Sequence, residues 1–172
     1  MSLTRRRLLS AAGVVVTAAV VMTAGVGVVA DAWWDQPAAS PLLHLSTDEV
    51  AFVDALADAI FPPSATFAIR GREAGAALHV DEVLQGMEPF QRKMLRLSLH
   101  LLDQMPRSAY GAPFRELGPE EGGAALLGWL THDRAEIRGL IASVYIFVSM
   151  AYSLHPAVSP TFAAQFRCGY GA

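Results

Sequence analysis

Sixteen consecutive residues without a charge, Gly139 to Leu154, set the terms on which this chain can fold. As an α-helix such a run is about 24 Å long, short of the roughly 20 residues that cross a hydrocarbon core. It therefore predicts a central core helix, from about Asp133 to Leu154, covered by other helices. The β-branched and aromatic stretch Val144 to Val148 would also suit a strand, but no other segment alternates in a way that could pair with it.

The remaining periodic segments supply the cover. Ser46 and Glu49 have capping-box spacing, and Val50, Val53, Leu56, Ala57 and Ile60 recur on one helical face until Pro62-Pro63 stops it. A shorter helix is expected from about Ala74 to Gln85, with Gly86 at its end. Pro89 suits the first turn of a third, largely buried helix to about Gln104. After Pro106, Gly111 and Pro113, with Phe114 and Leu117 pinning the loop, Pro119 opens a fourth helix to Leu130. The expected fold is all-α, a compact bundle of about five helices following an N-terminal signal or anchor helix.

That N-terminal segment is read from its charge pattern. Arg5, Arg6 and Arg7 precede Leu8 and Leu9, no charge follows until Asp31, and Ala30-Asp31-Ala32 offers a small-x-small cleavage region. The arginine pair followed by leucines looks like a twin-arginine export motif. The span from Leu8 to Ala30 is built from weakly hydrophobic residues, which suits a cleaved signal, yet about 23 residues also suffice for a retained anchor. Either outcome places the remainder in the periplasm or at the periplasmic face of the inner membrane. Residues 1–32 thus form the signal or anchor, 33–43 a Pro-containing linker and 44–172 the helical domain. Trp33 and Trp34 read as an interfacial anchor or as a pair packed on the domain.

Composition narrows the function. From Trp33 onward 10 basic residues face 15 acidic ones, which disfavours nucleic acid as a partner. Cys168 is the single cysteine in the chain, so no internal disulfide or Cys-pair haem attachment can form. The five histidines, His44, His79, His100, His132 and His155, show no i, i+3 or i, i+4 pair for a helical metal site. His79-Val80-Asp81-Glu82 reads as a solvated helix face, and His132-Asp133-Arg134 as a polar helix start. No Gly-x-Gly-x-x-Gly, Walker loop or Gly-x-Ser-x-Gly occurs. Neither a catalytic residue nor a cofactor or metal ligand is therefore assigned to this chain. The low charge content of the exported part instead implies apolar surface buried against another chain.

The order of these features carries a resemblance. Leu45-Ser46-Thr47-Asp48-Glu49 opens a helix that ends in Ala59-Ile60-Phe61-Pro62-Pro63. Ala74-Gly75 then leads into Val80-Asp81-Glu82-Val83-Leu84, and the tail holds Phe162, Phe166 and Gly169-Tyr170-Gly171. From Leu43 to Ala172 this resembles the gluconate 2-dehydrogenase subunit 3 family, although the Gly-rich region Pro113 to Gly123 and the long uncharged last helix depart from many relatives. The resemblance implies a non-catalytic small subunit of an exported, membrane-associated complex. Its partner would be a large flavoprotein of the glucose-methanol-choline (GMC) type, holding FAD and oxidising a sugar, sugar acid or polyol, often with a haem-bearing c-type cytochrome. The small subunit would help the large one mature and carry it through the twin-arginine translocase, with Phe162, Phe166 and Tyr170 as candidate partner contacts. The alternative is an independent membrane-anchored structural protein of the cell envelope; a stand-alone enzyme using His132 or His79 would need a site the sequence does not complete.

Overall fold

The first long helix begins where its cap dictates. The Ser46 hydroxyl accepts from the Glu49 amide at 3.4 Å, and the Glu49 carboxylate accepts from the Ser46 amide at 2.7 Å. Two amides that lack intrahelical partners are satisfied at once, and α1 follows over Thr47–Ile60. The computed structural model describes residues 36–64 and 69–165. Arg5, Arg6, Leu8, Leu9, Ala30, Ala32, Trp33, Trp34, Phe166, Cys168 and Tyr170 lie outside the described residues.

Behind α1 the chain must return close to the helix it has just left. It does so through a 3₁₀ turn, Gly71–Ala74, whose Gly71 amide donates to the Phe61 carbonyl at 3.1 Å. A Cβ on Gly71 would sit 1.9 Å from the Ala57 carbonyl oxygen, so only glycine permits this approach. Gly75, at φ +71°, then turns the chain into α2, Ala76–Gln85. The helix expected from Ala74 is therefore divided at Gly75.

Helix α3, Pro89–Gln104, is joined to α2 by Arg92, whose guanidinium donates to the carbonyls of Leu84 and Met87 at 2.9 and 3.1 Å. These carbonyls lie at and just past the C-terminal end of α2, where a cation is well placed. From Met94 to Gln104 α3 has no exposed residue, whereas Phe90 on its first turn is exposed. A single-turn helix, α4 (Arg107–Tyr110), and a 3₁₀ turn, Phe114–Glu116, lead to α5, Pro119–Leu130. Phe114 is buried between Phe52 of α1, edge-on at 5.6 Å, and Trp129 of α5 at 5.0 Å. Then come α6, Ala135–Leu154, and α7, Ser159–Gln165.

The protein is all-α: among the described residues the only β feature is an isolated bridge between Ala38 and Ser46. The five helices read from the sequence are all present. The single-turn α4, the two 3₁₀ turns and the short α7 were not anticipated, because elements this short carry no apolar period.

Three buried carboxylates tie the helices together. Glu49 receives the Arg96 guanidinium in a two-point contact at 2.8 and 3.0 Å, and His100 Nε2 lies 3.1 Å from it. Asp81 on α2 accepts backbone amides from Leu43, His44 and Leu45 at 2.8–2.9 Å. That overturns the reading of His79 to Glu82 as a solvated face, since Asp81 is buried and clamps the stretch that precedes α1. Asp103 accepts the Arg115 amide at 3.1 Å and pairs with the same arginine's guanidinium, which also reaches Asp48 at 3.3 Å.

Burial acts to raise the pKa of all three acids, with different outcomes. At Glu49 the hydrogen bonds from His100, Arg96 and Ser46 outweigh it, and at Asp81 the three amides do, so both stay below their ordinary values. At Asp103 burial prevails over Arg115 and the carboxyl is raised.

Asp81→Ala strips a charged acceptor from three amides, that of Leu45 fully buried, and is expected to cost about 3 kcal/mol in urea denaturation. The pH dependence follows from the same contacts. Glu49 and Asp81 bind protons more weakly folded than unfolded, so their stabilisation is complete above about pH 4–5 and is lost as pH falls through their folded values. Asp103, shifted upward, opposes this with stability that fades as pH rises. Asp54, also raised by burial, acts in the same direction as Asp103; the contribution of Asp81 is separable from these, and Asp81→Ala should lower the urea midpoint more at pH 6 than at pH 3.

Candidate interaction face on the long apolar helix

Side chains hold both ends of α6, the first to the turn that leads into it and the last to the bundle, and the last sets which side of it faces outward. Near the N-terminal end the Arg138 guanidinium donates to the carbonyl of His132 and, at 2.9 Å, to that of Asp133. At the C-terminal end Tyr152 stacks on Phe61, the C-cap of α1, with ring centroids 3.9 Å apart, and its hydroxyl donates to the Ile69 carbonyl at 3.1 Å. Burial and the Glu73 carboxylate push the Tyr152 phenol upward, so it remains a neutral donor.

With its rotation fixed, α6 turns Ile141, Val144, Val148, Ala151 and Tyr152 into the core, where it packs against α1, α2, α3 and α5. On its other side Ala142, Ile146, Met150 and Leu154 follow one another at four-residue intervals. Ile146, Met150 and Leu154 are 54%, 45% and 65% exposed. Only 28% of the helix's most apolar 18-residue window is buried. The expected core helix is thus central in its neighbours but covered on one side, because the other helices all pack against the same stripe. By length and composition alone α6 could cross a membrane.

The rest of the surface offers less. A cleft of about 90 Å³ beside Asp58, Arg72, Arg115 and Gly122 is well below the roughly 300 Å³ of an ordinary ligand pocket. Among the described residues no group of three or more His, Cys, Asp and Glu side chains converges as metal ligands. His132 Nδ1 accepts the Arg134 amide at 3.1 Å and His155 Nδ1 the Ala157 amide at 3.2 Å, so each imidazole closes its own turn. His100 belongs to the Glu49 cluster, and His79 is half-buried on α2, apart from these. Of the partner contacts anticipated from sequence, Phe162 lies half-buried on α7, which packs on α6. Phe166 and Tyr170 fall beyond the described residues. Ile146, Met150 and Leu154 were not singled out, since on a helix apolar all round the sequence period does not separate the inner stripe from the outer.

The profile of the gluconate 2-dehydrogenase subunit 3 family matches residues 47–155. The chain belongs to that family. The matched span begins with the first residue of α1 and ends one residue past α6, so it takes in the bundle and leaves out α7 with Phe162. No curated protein and no solved structure gives a match. The family's description makes its members subunits of a dehydrogenase, and the motifs that carried the resemblance have structural roles in this subunit 3 relative. Ser46 and Glu49 cap α1, Gly75 turns the chain into α2, and Asp81 holds the stretch before α1.

Proposed function

We propose that this chain is the non-catalytic small subunit that binds, helps mature and escorts for export a flavin-dependent dehydrogenase subunit of the GMC type, acting on a sugar, sugar acid or polyol. The observation that carries the reading is the outer face of α6, an uncharged ridge in a protein whose family is named for a dehydrogenase subunit. Such a face costs solubility in a solitary protein and is ordinary at the centre of an interface between subunits. The flavin and its chemistry reside in the partner, and a c-type cytochrome of the same complex would take the electrons. Phe162, Phe166 and Tyr170 extend the contact beyond α6, and Arg5-Arg6 direct the assembled pair to the twin-arginine translocase and the periplasmic face of the inner membrane.

Ile146→Asp with Met150→Asp places two charges on an exposed ridge, so the fold should survive while the partner is lost. Co-expression with the flavoprotein should show flavin absorbance co-purifying with the parent chain and falling at least about tenfold with the double variant, as two buried unpaired charges would require. Unchanged co-purification from this variant and from a chain lacking residues 161–172 overturns the contact map. Arg5→Lys with Arg6→Lys should strand the dehydrogenase activity inside the cell; activity at its normal level outside removes the escort role.

A further inference from the structure

His79 Nε2 on α2 and Ser149 Oγ on α6 are buried atoms that make no hydrogen bond. Native interiors hold few such atoms, and each calls for a partner. The serine is the more telling of the two. Inside a helix a serine hydroxyl can turn back onto the carbonyl three or four residues earlier. Ser98, Ser143 and Ser153 do this, donating to the carbonyls of Met94, Leu140 and Met150 at 2.9, 2.7 and 3.0 Å. Ser149 does not, which leaves its hydroxyl for a partner outside its own helix.

Chain direction brings the histidine to the same place. α2 packs along α6, and the 3₁₀ turn that leads into α2 touches α6 as well. That turn lies at the C-terminal end of α6, where the Tyr152 hydroxyl donates to the Ile69 carbonyl. From this junction α2 runs back alongside α6. His79 stands three residues after Ala76, where α2 begins, and Ser149 three residues before Tyr152, so each is about 4.5 Å along its helix from the junction. Tyr145 and Tyr152, four residues before Ser149 and three after it, share its side of α6, and the small serine leaves room between them.

No direct bond joins the two atoms, and a polar pair that faces across one seam at more than hydrogen-bond distance is what a water spans. We infer that His79 Nε2 and Ser149 Oγ together hold one buried water in the seam between α2 and α6. A neutral imidazole nitrogen and a hydroxyl can each donate or accept, and two such partners are the minimum for an internal water. The water gives α6 a further hold on the bundle, on the flank next to the exposed Met150. This hydration site does not depend on the escort reading above.

The first test is NMR of the full parent chain carrying isotopically labelled histidine, which needs no variant. A water cross-peak at the His79 ring, with the sign of a long-lived internal water, is expected, and Ser149→Ala should abolish it. Absence of the cross-peak from the parent, or its survival at full strength in Ser149→Ala, overturns the shared water. Urea unfolding then reads the link through His79→Leu, Ser149→Ala and the double variant. Each single change strands the other group and should raise the unfolding equilibrium constant about tenfold, whereas the double leaves nothing stranded and should exceed neither single. Single effects that multiply to about a hundredfold in the double overturn the link. Should His79→Leu fail to fold, the response of the cross-peak to Ser149→Ala decides the matter alone.

Discussion

A carboxylate taken out of water needs partners, and Glu49 collects its own from two stretches of chain. Its oxygens answer the Ser46 amide, the Arg96 guanidinium and His100, which joins the start of α1 to the middle of α3. Removing the Arg96 guanidinium would leave the buried charge largely uncompensated, a penalty of about 3–5 kcal/mol. Asp81 extends the same logic to α2 by gathering three successive amides of the segment that precedes α1. The apolar core is not selective about which helix meets which at a given height, whereas these ion and amide contacts are satisfied in one register only.

That register governs α6. Tyr152 can stack on Phe61 and reach the Ile69 carbonyl only if α1 ends where its cap and Pro62-Pro63 make it end, and if Gly71 lets the following turn lie against Ala57. With Ile141, Val144 and Val148 buried along the same side, rotating the outer stripe inward would expose that stripe and break both Tyr152 contacts. Ile146, Met150 and Leu154 are therefore exposed as a consequence of contacts made by other residues, several of them polar.

The sequence was informative where physics is local. Caps, prolines and glycines give positions within a residue or two for α1, α3 and α5, since each acts on the backbone within one turn. Asp81 was misjudged because its ligands are amides some 36 to 38 positions earlier, and nothing in His79-Val80-Asp81-Glu82 distinguishes a carboxylate facing those amides from one facing water. The α6 face was hidden for a related reason. Sixteen uncharged residues announce that the helix is buried somewhere, but which side is covered depends on how many helices the chain has left to place around it. Glu49 was half legible: its cap to Ser46 follows from a spacing of three, and its pairing with Arg96 spans 47 positions.

A helix apolar on every side but covered on one carries an obligation that the bundle does not discharge internally. Evolution could have met it cheaply by placing Lys or Glu at positions 146, 150 and 154, which touch nothing in the core and would have made the domain more soluble. Retaining Ile, Met and Leu there is what the proposed docking of another subunit on this face calls for. In a subunit of a dehydrogenase complex the natural cover is another subunit.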